Sequence, residues 1–466
     1  MSRKQATESP ATAAPQAFYA AAAKIYPREV SGRYARLRAA AVGVLLGLFY
    51  GVVWLQWDGH QALLFDLPAR KFHVFGLTLW PQDFLYLALL LILAALSLFF
   101  FTAIAGRLWC GYACPQTVWT ELFIWIEQWT EGPRARRIKL DRAPWSAGKL
   151  ARKVTKQLLW LALSAYTGFT FVGYFTPIRT LTPQLLTLSA GSWASFWVFL
   201  YSLATYGNAG YLREQVCKYM CPYARFQSAM FDKDTLVISY DEARGEPRGS
   251  RPRGSDARAR GLGDCIDCTL CVQACPTGID IRQGLQYECI ACGACIDVCD
   301  EVMDKMGSPR GLVRYTTEHA MRGAVTHWLR PRVVIYATLL TVLIGALGYS
   351  LATRTPLILD VIRDRNALYR EVPGQRIENA YTFKVINLDD RPHRYRLAVS
   401  GVDGLELVAP LVPIAAAPGT VSTIPARLQA PGVSAAGIHP ITIDLAALDA
   451  PGIAVREKAR FIGPQS

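Results

Sequence analysis

Eight of the twelve cysteines lie in two runs that share one spacing. CIDCTLCVQACP covers residues 265–276, CIACGACIDVCD covers residues 289–300, and both follow C-x2-C-x2-C-x3-C. In this pattern three thiolates at two-residue gaps bind one cubane iron–sulfur cluster, while the fourth cysteine binds the neighbouring cluster. The spacing therefore predicts two 4Fe-4S clusters of the bacterial ferredoxin type, which transfer single electrons.

The crossed ligation assigns each cysteine to one cluster. The first cluster takes Cys265, Cys268, Cys271 and Cys299, and the second takes Cys289, Cys292, Cys295 and Cys275. Zinc sites usually use two cysteine pairs rather than two runs of four, so the spacing favours iron. Asp300 stands where a proline usually follows the fourth cysteine, which leaves the ligands in place but changes the surroundings of the first cluster.

The other four cysteines form two pairs, each directly after an apolar segment. Cys110 and Cys114 lie in CGYACPQTVW, and Cys217 and Cys221 lie in CKYMCPYARF. Residues four apart share one helix face, and sulfur ligands select cuprous copper, zinc or iron–sulfur clusters. We expect redox or copper chemistry here, at one four-sulfur site or at two dithiols, with Met220 as an additional ligand. Cysteines that only pack, a structural zinc site and a third cluster are the alternatives.

Apolar segments position these cysteines relative to a membrane. A transmembrane helix needs about 20 apolar residues. Five segments without a charged side chain are long enough: Ala39–Trp57, Phe84–Ala105, Gln157–Ile178, Ser192–Tyr211 and Val333–Thr353. The sequence therefore predicts a polytopic α-helical membrane protein with five transmembrane helices.

Lysine and arginine predict the orientation of these helices. Residues 1–38, 106–156 and 212–332 contain seven, ten and seventeen of them, whereas 58–83 and 177–192 contain two and one. Basic segments stay in the cytoplasm, so we expect the N-terminus and all twelve cysteines there. The reducing cytoplasm favours metal and redox roles for thiols. The net charge of +14 follows from this topology and does not indicate binding of nucleic acid.

The six histidines exclude one class of membrane redox protein, because none lies in a predicted span. A b-type haem needs axial histidines within the helices, so the chain is not a haem-bearing quinol subunit. His319 and His327 follow the ferredoxin runs, and we interpret them as ordinary surface residues rather than ligands.

The chain divides into five parts on these criteria. They are a basic N-terminal arm (1–38), a four-helix transmembrane region (39–224), a linker with the two-cluster ferredoxin domain (225–332), a fifth transmembrane helix (333–353) and a C-terminal domain (354–466). The C-terminal domain has short alternating runs at 381–388, 394–401, 405–410, 420–429 and 439–448. Such runs predict a β-sandwich.

Three connecting segments have a distinctive composition. Residues 117–129 are rich in tryptophan and predict a helix at the membrane interface. The basic run 134–156 predicts a solvated loop that faces lipid headgroups. Residues 237–263 are rich in Gly, Pro, Ser and Arg in their second half, and predict an irregular loop without a core of its own.

Together, the two membrane-end motifs, the stretch YDEARGEPRG, the double ferredoxin motif and the exported β domain resemble the FixG/RdxA/CcoG family. The resemblance spans about residues 20–460. It implies an accessory protein for assembly of the cbb3-type cytochrome c oxidase, in the inner membrane of a bacterium. It also implies an immunoglobulin-like periplasmic domain, two 4Fe-4S clusters, and reduction of cupric to cuprous ion on the cytoplasmic side, with copper handled by Cys110, Cys114, Cys217 and Cys221.

The implied partners are the copper ion and subunits of the cbb3-type oxidase or copper transporters and chaperones. The sequence does not predict the electron donor and leaves a homo-oligomer open. Two other functions compete with cupric reduction. One is a quinol-linked electron conduit similar to the NapH-type polyferredoxins, and the other is a non-catalytic assembly scaffold or redox sensor.

Overall fold

The computed structural model describes residues 24–364, 367–389, 391–409 and 413–464. The predicted N-terminal arm therefore lies outside the described residues up to position 23. The described chain consists of a helical region, a small cysteine-rich domain, a long apolar helix and a β domain, in that order.

Helices dominate the first half of the chain. They are α1 (Arg33–Gly51), α2 (Phe84–Ala105), α3 (Leu108–Tyr112), α4 (Pro115–Glu131), α5 (Arg134–Arg142), α6 (Ala147–Gly173), α7 (Ile178–Leu186), α8 (Ser192–Thr205) and α9 (Pro222–Ala229). Two π-helical segments, Tyr206–Leu212 and Val216–Met220, lie between α8 and α9. Short strands that the sequence did not predict lie between α1 and α2: β1 (Gln56–Trp57), β2 (His60–Gln61), β3 (Leu63–Asp66), β4 (Lys71–Val74) and β5 (Leu77–Leu79).

Three helices of the described chain are long and apolar enough to cross a membrane. They cover Arg33–Trp54, Phe84–Ala105 and Pro331–Ala352. The third predicted span lies in α6, which begins ten residues earlier and carries four basic residues in that added part. The fourth lies in α8, which becomes π-helical near the glycines of its last turns. Crossing by α6 and α8 therefore remains a prediction.

The basic run 134–156 is not a solvated loop. It forms α5 and the start of α6, and the Arg137 side chain is fully buried. Glu127 and Glu131 lie one turn apart on α4 and are also buried, so each needs a cation nearby. Arg137 lies 3.6 Å from Glu127, and Lys156 lies 2.8 Å from Glu131. The run thus supplies buried counter-ions as well as surface charge.

The cysteine-rich domain contains β6 (Val237–Tyr240), α10 (Glu242–Gly245), α11 (Leu270–Ala274), α12 (Ala294–Met306), β7 (Val313–Thr316) and α13 (Glu318–Met321). The predicted irregular loop 237–263 is wrong at its start, because β6 pairs with β7 in an antiparallel ribbon. Ile238 and Tyr240 alternate along β6 and are buried in the same core as Met303. These buried side chains anchor a segment whose later half is irregular.

An antiparallel helix pair joins this domain to the rest of the chain. The helix α14 (Pro331–Ala352) packs along α2. Arg330, just before α14, donates to the carbonyl of Ala103 at the end of α2. At the other end, the hydroxyls of Tyr86 and Ser350 lie 3.0 Å apart. The cysteine-rich domain and the C-terminal domain therefore attach to opposite ends of α2.

The C-terminal domain is the expected immunoglobulin-like β-sandwich. Its strands are β8 (Leu357–Arg363), β9 (Arg370–Val372), β10 (Arg376–Asn387), β11 (His393–Ser400), β12 (Glu406–Ala409), β13 (Ile414–Ala416), β14 (Val421–Pro431), β15 (Ile438–Ala447) and β16 (Ala454–Ile462). One sheet has the order β12-β14-β10-β8 with β9 beside β10, and the other has the order β13-β11-β15-β16. Phe383, Tyr395, Leu428 and Phe461 are fully buried between them. The sequence missed β8, β9, β13 and β16, which are short or carry charges.

The β domain docks on the segment that leads into α2. Trp80 packs against Ile386 and Leu388, and its indole N–H donates to the carbonyl of Leu388 at 3.3 Å. Arg354 lies 2.6 Å from the carboxylate of Asp83. These contacts fix the sandwich at the end of α2 that is remote from the cysteines.

Candidate metal centres

The two cysteine runs adopt the same backbone path. Asp267 and Ala291 occupy equivalent positions and have φ values of 54° and 52°, and Thr269 and Gly293 follow with 57° and 74°. A positive φ is energetically unfavourable for residues other than glycine. Its repetition at equivalent positions indicates that both runs need the same backbone curvature. Left-handed turns of this kind form concave nests of backbone N–H groups, which suit an anionic group such as a thiolate-ligated cluster.

Cysteines of both runs line two separate cavities. One cavity is lined by Cys265, Cys268, Cys271 and Cys299. The other is lined by Cys275, Cys289, Cys292 and Cys295. Cys271 lines both cavities, so the two are neighbours. The grouping follows the crossed pattern expected from the spacing, and ligation of iron by these eight thiols stays a prediction.

The chemistry of these thiols fits a metal cluster. Burial raises the pKa of Cys289 to about 12 and that of Cys292 to about 11, and the adjacent thiols raise each pKa further. In the first cavity burial raises the pKa of Cys299 to about 12. Such thiols stay protonated at neutral pH until a metal displaces the proton. Each cavity therefore offers four sulfur donors that suit iron.

The membrane-end pairs repeat one local structure. Cys110 lies in α3 and Cys217 in the π-helical segment Val216–Met220. Cys114 and Cys221 each directly precede a helix, α4 and α9, whose first residue is proline. Proline suits the first helical position, since its missing N–H has no partner there in any case. The C-x3-C-P motif thus ends one helix and begins the next at both places.

The two membrane-end pairs are neighbours in the fold. Burial raises the pKa of Cys110 to about 12, and the nearby Cys114 and Cys217 thiols contribute to the shift. Burial also raises the pKa of Cys217 to about 11, with contributions from Cys114 and Cys221. The pairs are 107 residues apart in sequence, counted from Cys110 to Cys217, but lie close enough to interact electrostatically.

Two other side chains near the membrane-end thiols, Gln227 and Met220, differ in burial. The Cys110 thiol donates to the amide oxygen of Gln227, which is fully buried, at 3.2 Å. Met220 is 60% exposed and lines a surface hollow with Cys221 and Phe226. Its role as a copper ligand therefore stays a prediction.

Contacts from α3 hold the membrane-end cysteines against the second cavity. Cys110 packs against the core that contains Ile290 and Cys292. A Cβ on Gly111 would lie 2.7 Å from the carbonyl oxygen of Ile290, so only glycine permits this approach. The same face of the domain also borders a cavity of about 240 Å³ that Cys217 and Cys292 line together. The second cavity, rather than the first, adjoins the membrane-end thiols.

Two buried arginines join the helices to the second cysteine run. Arg107 donates to the carbonyls of Tyr287 and Ala224, which belong to the cysteine-rich domain and to α9. Arg38 of α1 donates to the carbonyl of Cys292 at 2.7 Å. Sequence reasoning missed Arg107, Gly111 and Gln227. Arg107 alone had a local signal, because it is a single cation two residues after the end of an apolar span.

Comparison with known proteins identifies the family. The chain is 42% identical to Protein RdxB of Cereibacter sphaeroides over 88% of each protein, and 40% identical to Protein RdxA of the same organism over 83% of this chain and 84% of that protein. It is 38% identical to the nitrogen fixation protein FixG of Rhizobium meliloti over 81% of this chain and 79% of that protein. The chain belongs to the FixG/RdxA family.

Three family models match parts of this FixG/RdxA member. A 4Fe-4S dicluster domain matches residues 212–318, and an Ig-like fold at the C-terminus of FixG matches residues 347–464. A 4Fe-4S binding domain matches residues 87–139, which contain Cys110 and Cys114. A crystal structure of a FixG-related protein from Vibrio parahaemolyticus is 30% identical and covers 24% of this chain and 98% of its own, with a TM-score of 0.22. The chain is thus an iron–sulfur redox protein with membrane helices.

Proposed function

We propose that this protein reduces Cu²⁺ to Cu⁺ at the cytoplasmic face of the bacterial inner membrane. Cys110, Cys114, Cys217 and Cys221 are the copper site, and the product serves assembly of the copper centre of a cbb3-type cytochrome c oxidase. The observation that carries the proposal is the packing of Cys110 against the core that contains Cys292. The two 4Fe-4S clusters supply one-electron transfer when bound.

The chain's own residues hold the two centres together. Arg107 bonds carbonyls from both the cysteine-rich domain and α9, and Gly111 allows α3 to approach Ile290. Buried hydrogen bonds to a charged group are worth about 1.5–3 kcal/mol each. These contacts give the copper site a defined position next to the second cysteine run.

The sulfur donors favour the reduced ion. Each reduction adds one electron to Cu²⁺ and yields Cu⁺, a d10 ion that soft thiolates prefer. Because burial raises the pKa of Cys110 and Cys217, these two thiols are neutral before an ion binds. Binding of Cu⁺ releases thiol protons to water. The donor set therefore drives the equilibrium toward Cu⁺.

Orientation and partners complete the proposal. The attachment of the two domains at opposite ends of α2 supports a cytoplasmic ferredoxin domain and a periplasmic β domain. With α6 and α8 also crossing the membrane, the protein has five transmembrane helices. Oxidase subunits or copper transporters and chaperones then receive the ion at the membrane, where the surface hollow with Cys221 and Met220 lies.

Anaerobic mixing of the reduced, detergent-solubilised protein with Cu²⁺ tests the activity. Cluster oxidation is followed by visible absorbance, and Cu⁺ is followed with a chelator specific for it. We expect one Cu⁺ for each electron that the clusters lose. Equal Cu⁺ formation by a chain with all four membrane-end cysteines changed to Ala would overturn the copper assignment. Oxidation of an added quinol instead of Cu²⁺ reduction would favour the quinol-linked conduit.

A third cluster at the membrane-end cysteines is the second candidate. It is favoured by the match of residues 87–139 to a 4Fe-4S binding domain, although that range contributes only Cys110 and Cys114. Iron analysis after anaerobic reconstitution separates the two functions. Two clusters correspond to about eight iron atoms per chain and three clusters to about twelve.

A further inference from the structure

Two histidines that the sequence analysis interpreted as ordinary surface residues meet one carboxylate. His319 Nδ1 lies 2.7 Å from Asp234 Oδ1, and His327 Nδ1 lies 3.7 Å from the same oxygen. One ligand atom from each of the three residues lies within 4.8 Å of the others. Asp234 is 85 residues from His319 in sequence, so no local motif links them.

The turn that carries Asp234 is held from three sides. Asp232 accepts from the Asp234 backbone N–H at 3.0 Å, and its carboxylate lies 3.1 Å from Arg330. Thr235 donates to the carbonyl of Ala103 in α2 at 3.2 Å. The backbone N–H of the next residue, Leu236, donates to Ile104 of the same helix at 3.0 Å. These bonds attach the carboxylate to the last turn of α2, the helix that leads to Cys110.

The histidines are fixed by their own loop. The hydroxyls of Thr317 and Thr326 lie 2.7 Å apart and close the segment between the two rings. The backbone N–H of His319 donates to the carbonyl of Lys233 at 3.1 Å, and the backbone N–H of His327 donates to the Asp234 carboxylate at 2.9 Å. Both histidines are thereby bound to the turn that contains the carboxylate. The backbone needs no rearrangement to present all three groups.

The donor set is that of a divalent transition metal. Neutral imidazoles bind zinc, copper, nickel and iron, and affinity among first-row divalent ions is highest at Cu²⁺. A carboxylate has two oxygens, so Asp234 can keep its hydrogen bond to the backbone N–H of His327 and still bind an ion. The His327 side chain is 69% exposed, which leaves the group open to an incoming ion and to water ligands.

We propose that Asp234, His319 and His327 form a metal site that is separate from the membrane-end cysteines and takes Cu²⁺. Nitrogen and oxygen donors prefer the oxidised ion, and sulfur donors prefer the reduced one. The site lies at the end of α2, and Cys110 follows that end by five residues. A role in uptake of the copper substrate rests on the proposed function, whereas binding of the ion does not.

The binding test uses the full-length chain with its clusters oxidised and with the four membrane-end cysteines changed to Ala, which removes competing sulfur. One equivalent of Cu²⁺ should give an electron paramagnetic resonance spectrum with coupling to two imidazole nitrogens. Loss of even an outer partner of a metal ligand costs about 10–100-fold in affinity. We expect His319→Ala or His327→Ala to weaken binding at least tenfold and to remove the two-nitrogen coupling.

His439→Ala is the matched control, because His439 is a half-buried histidine of the β domain whose ring contacts the carbonyl of Ala436. It should leave both affinity and coupling unchanged. An affinity and a nitrogen coupling that survive His327→Ala would overturn the site.

A kinetic test separates the site from the proposed function. In the chain with all cysteines present, His327→Ala should raise the KM for Cu²⁺ and leave kcat for Cu⁺ formation unchanged. Cu²⁺ binding without any Cu⁺ formation would remove the proposed function but keep the site. Unchanged KM together with lost binding would remove the uptake role alone.

Discussion

The cysteine-rich loops and the membrane-end pairs both gather thiols in groups of four, but they do so by different means. In each loop three of the four cysteines lie within seven residues, and repeated left-handed positions curve the backbone around the cavity. The membrane-end thiols come from two helix junctions that are distant in sequence and are brought near each other by contacts such as the Arg107 hydrogen bonds. A local motif thus determines one centre, and tertiary packing determines the other.

Removing a thiol from the second cavity should have the largest effect. Cys292→Ala takes one of four sulfur donors from that cavity. We expect loss of about four of about eight iron atoms per chain, together with loss of Cu⁺ formation, because Cys110 packs against the same core. Iron analysis and the anaerobic copper assay measure both. An unchanged iron content would contradict the assignment of Cys292 as a ligand of the second cluster.

Blocking the contact between the two centres should separate their functions. A side chain at Gly111 meets the backbone of Ile290 and Ala291, which cannot move aside as a flexible side chain can. We expect Gly111→Val to cost about 1–3 kcal/mol of unfolding free energy, as overpacking does, and to slow Cu⁺ formation while the first cluster remains.

Gly148→Ala is the control for this change. Gly148 is in the first turn of α6, and an added Cβ there meets nothing within 4 Å. Its rate of Cu⁺ formation and its iron content should match those of the parent chain. A Gly111 variant that reduces copper at the parent rate would show that the close approach of α3 is dispensable.

Single membrane-end substitutions test whether the four thiols are one site. If they are, Cys114→Ala and Cys221→Ala should each abolish tight Cu⁺ binding and leave both cluster spectra unchanged. Two separate dithiols would instead leave about one ion bound by the remaining pair after either change. Competition with a Cu⁺ chelator measures the difference. Met220→Leu removes the exposed thioether and should change the affinity least.

The β domain lacks cysteine, and the smallest expected effect is the pH dependence of its stability. His393 is buried, which lowers its pKa, but its hydrogen bonds to the Asp389 and Asp449 carboxylates outweigh burial and raise the pKa above its usual value. A raised folded pKa stabilises the domain fully below the unfolded pKa of about 6.5. This stability is lost as pH rises through the folded pKa. Denaturant unfolding of residues 354–466 should show this fall, and His393→Gln should remove it.

Much of the candidate site was predictable because its signals are local. The C-x2-C-x2-C spacing, the apolar segments and the alternating runs each reflect a short-range periodicity that one helix, loop or strand must satisfy. The burial of side chains from the basic run 134–156 was not predictable from sequence. A run of charged residues indicates a solvent-exposed segment unless a buried partner of opposite charge is known. Glu127 and Glu131 supply that partner only after α4 folds against α5 and α6.

The sequence by itself determined the iron–sulfur motifs, the β-sandwich and the order of the domains, since these depend on spacing and periodicity along the chain. Only the tertiary structure decided which cavity adjoins the membrane-end thiols and which residues hold them there. Gly111 reaches Ile290 and Asp234 reaches His319 across 179 and 85 positions. Contacts at such separations depend on how helices pack, and such packing produces no periodic residue pattern in the sequence.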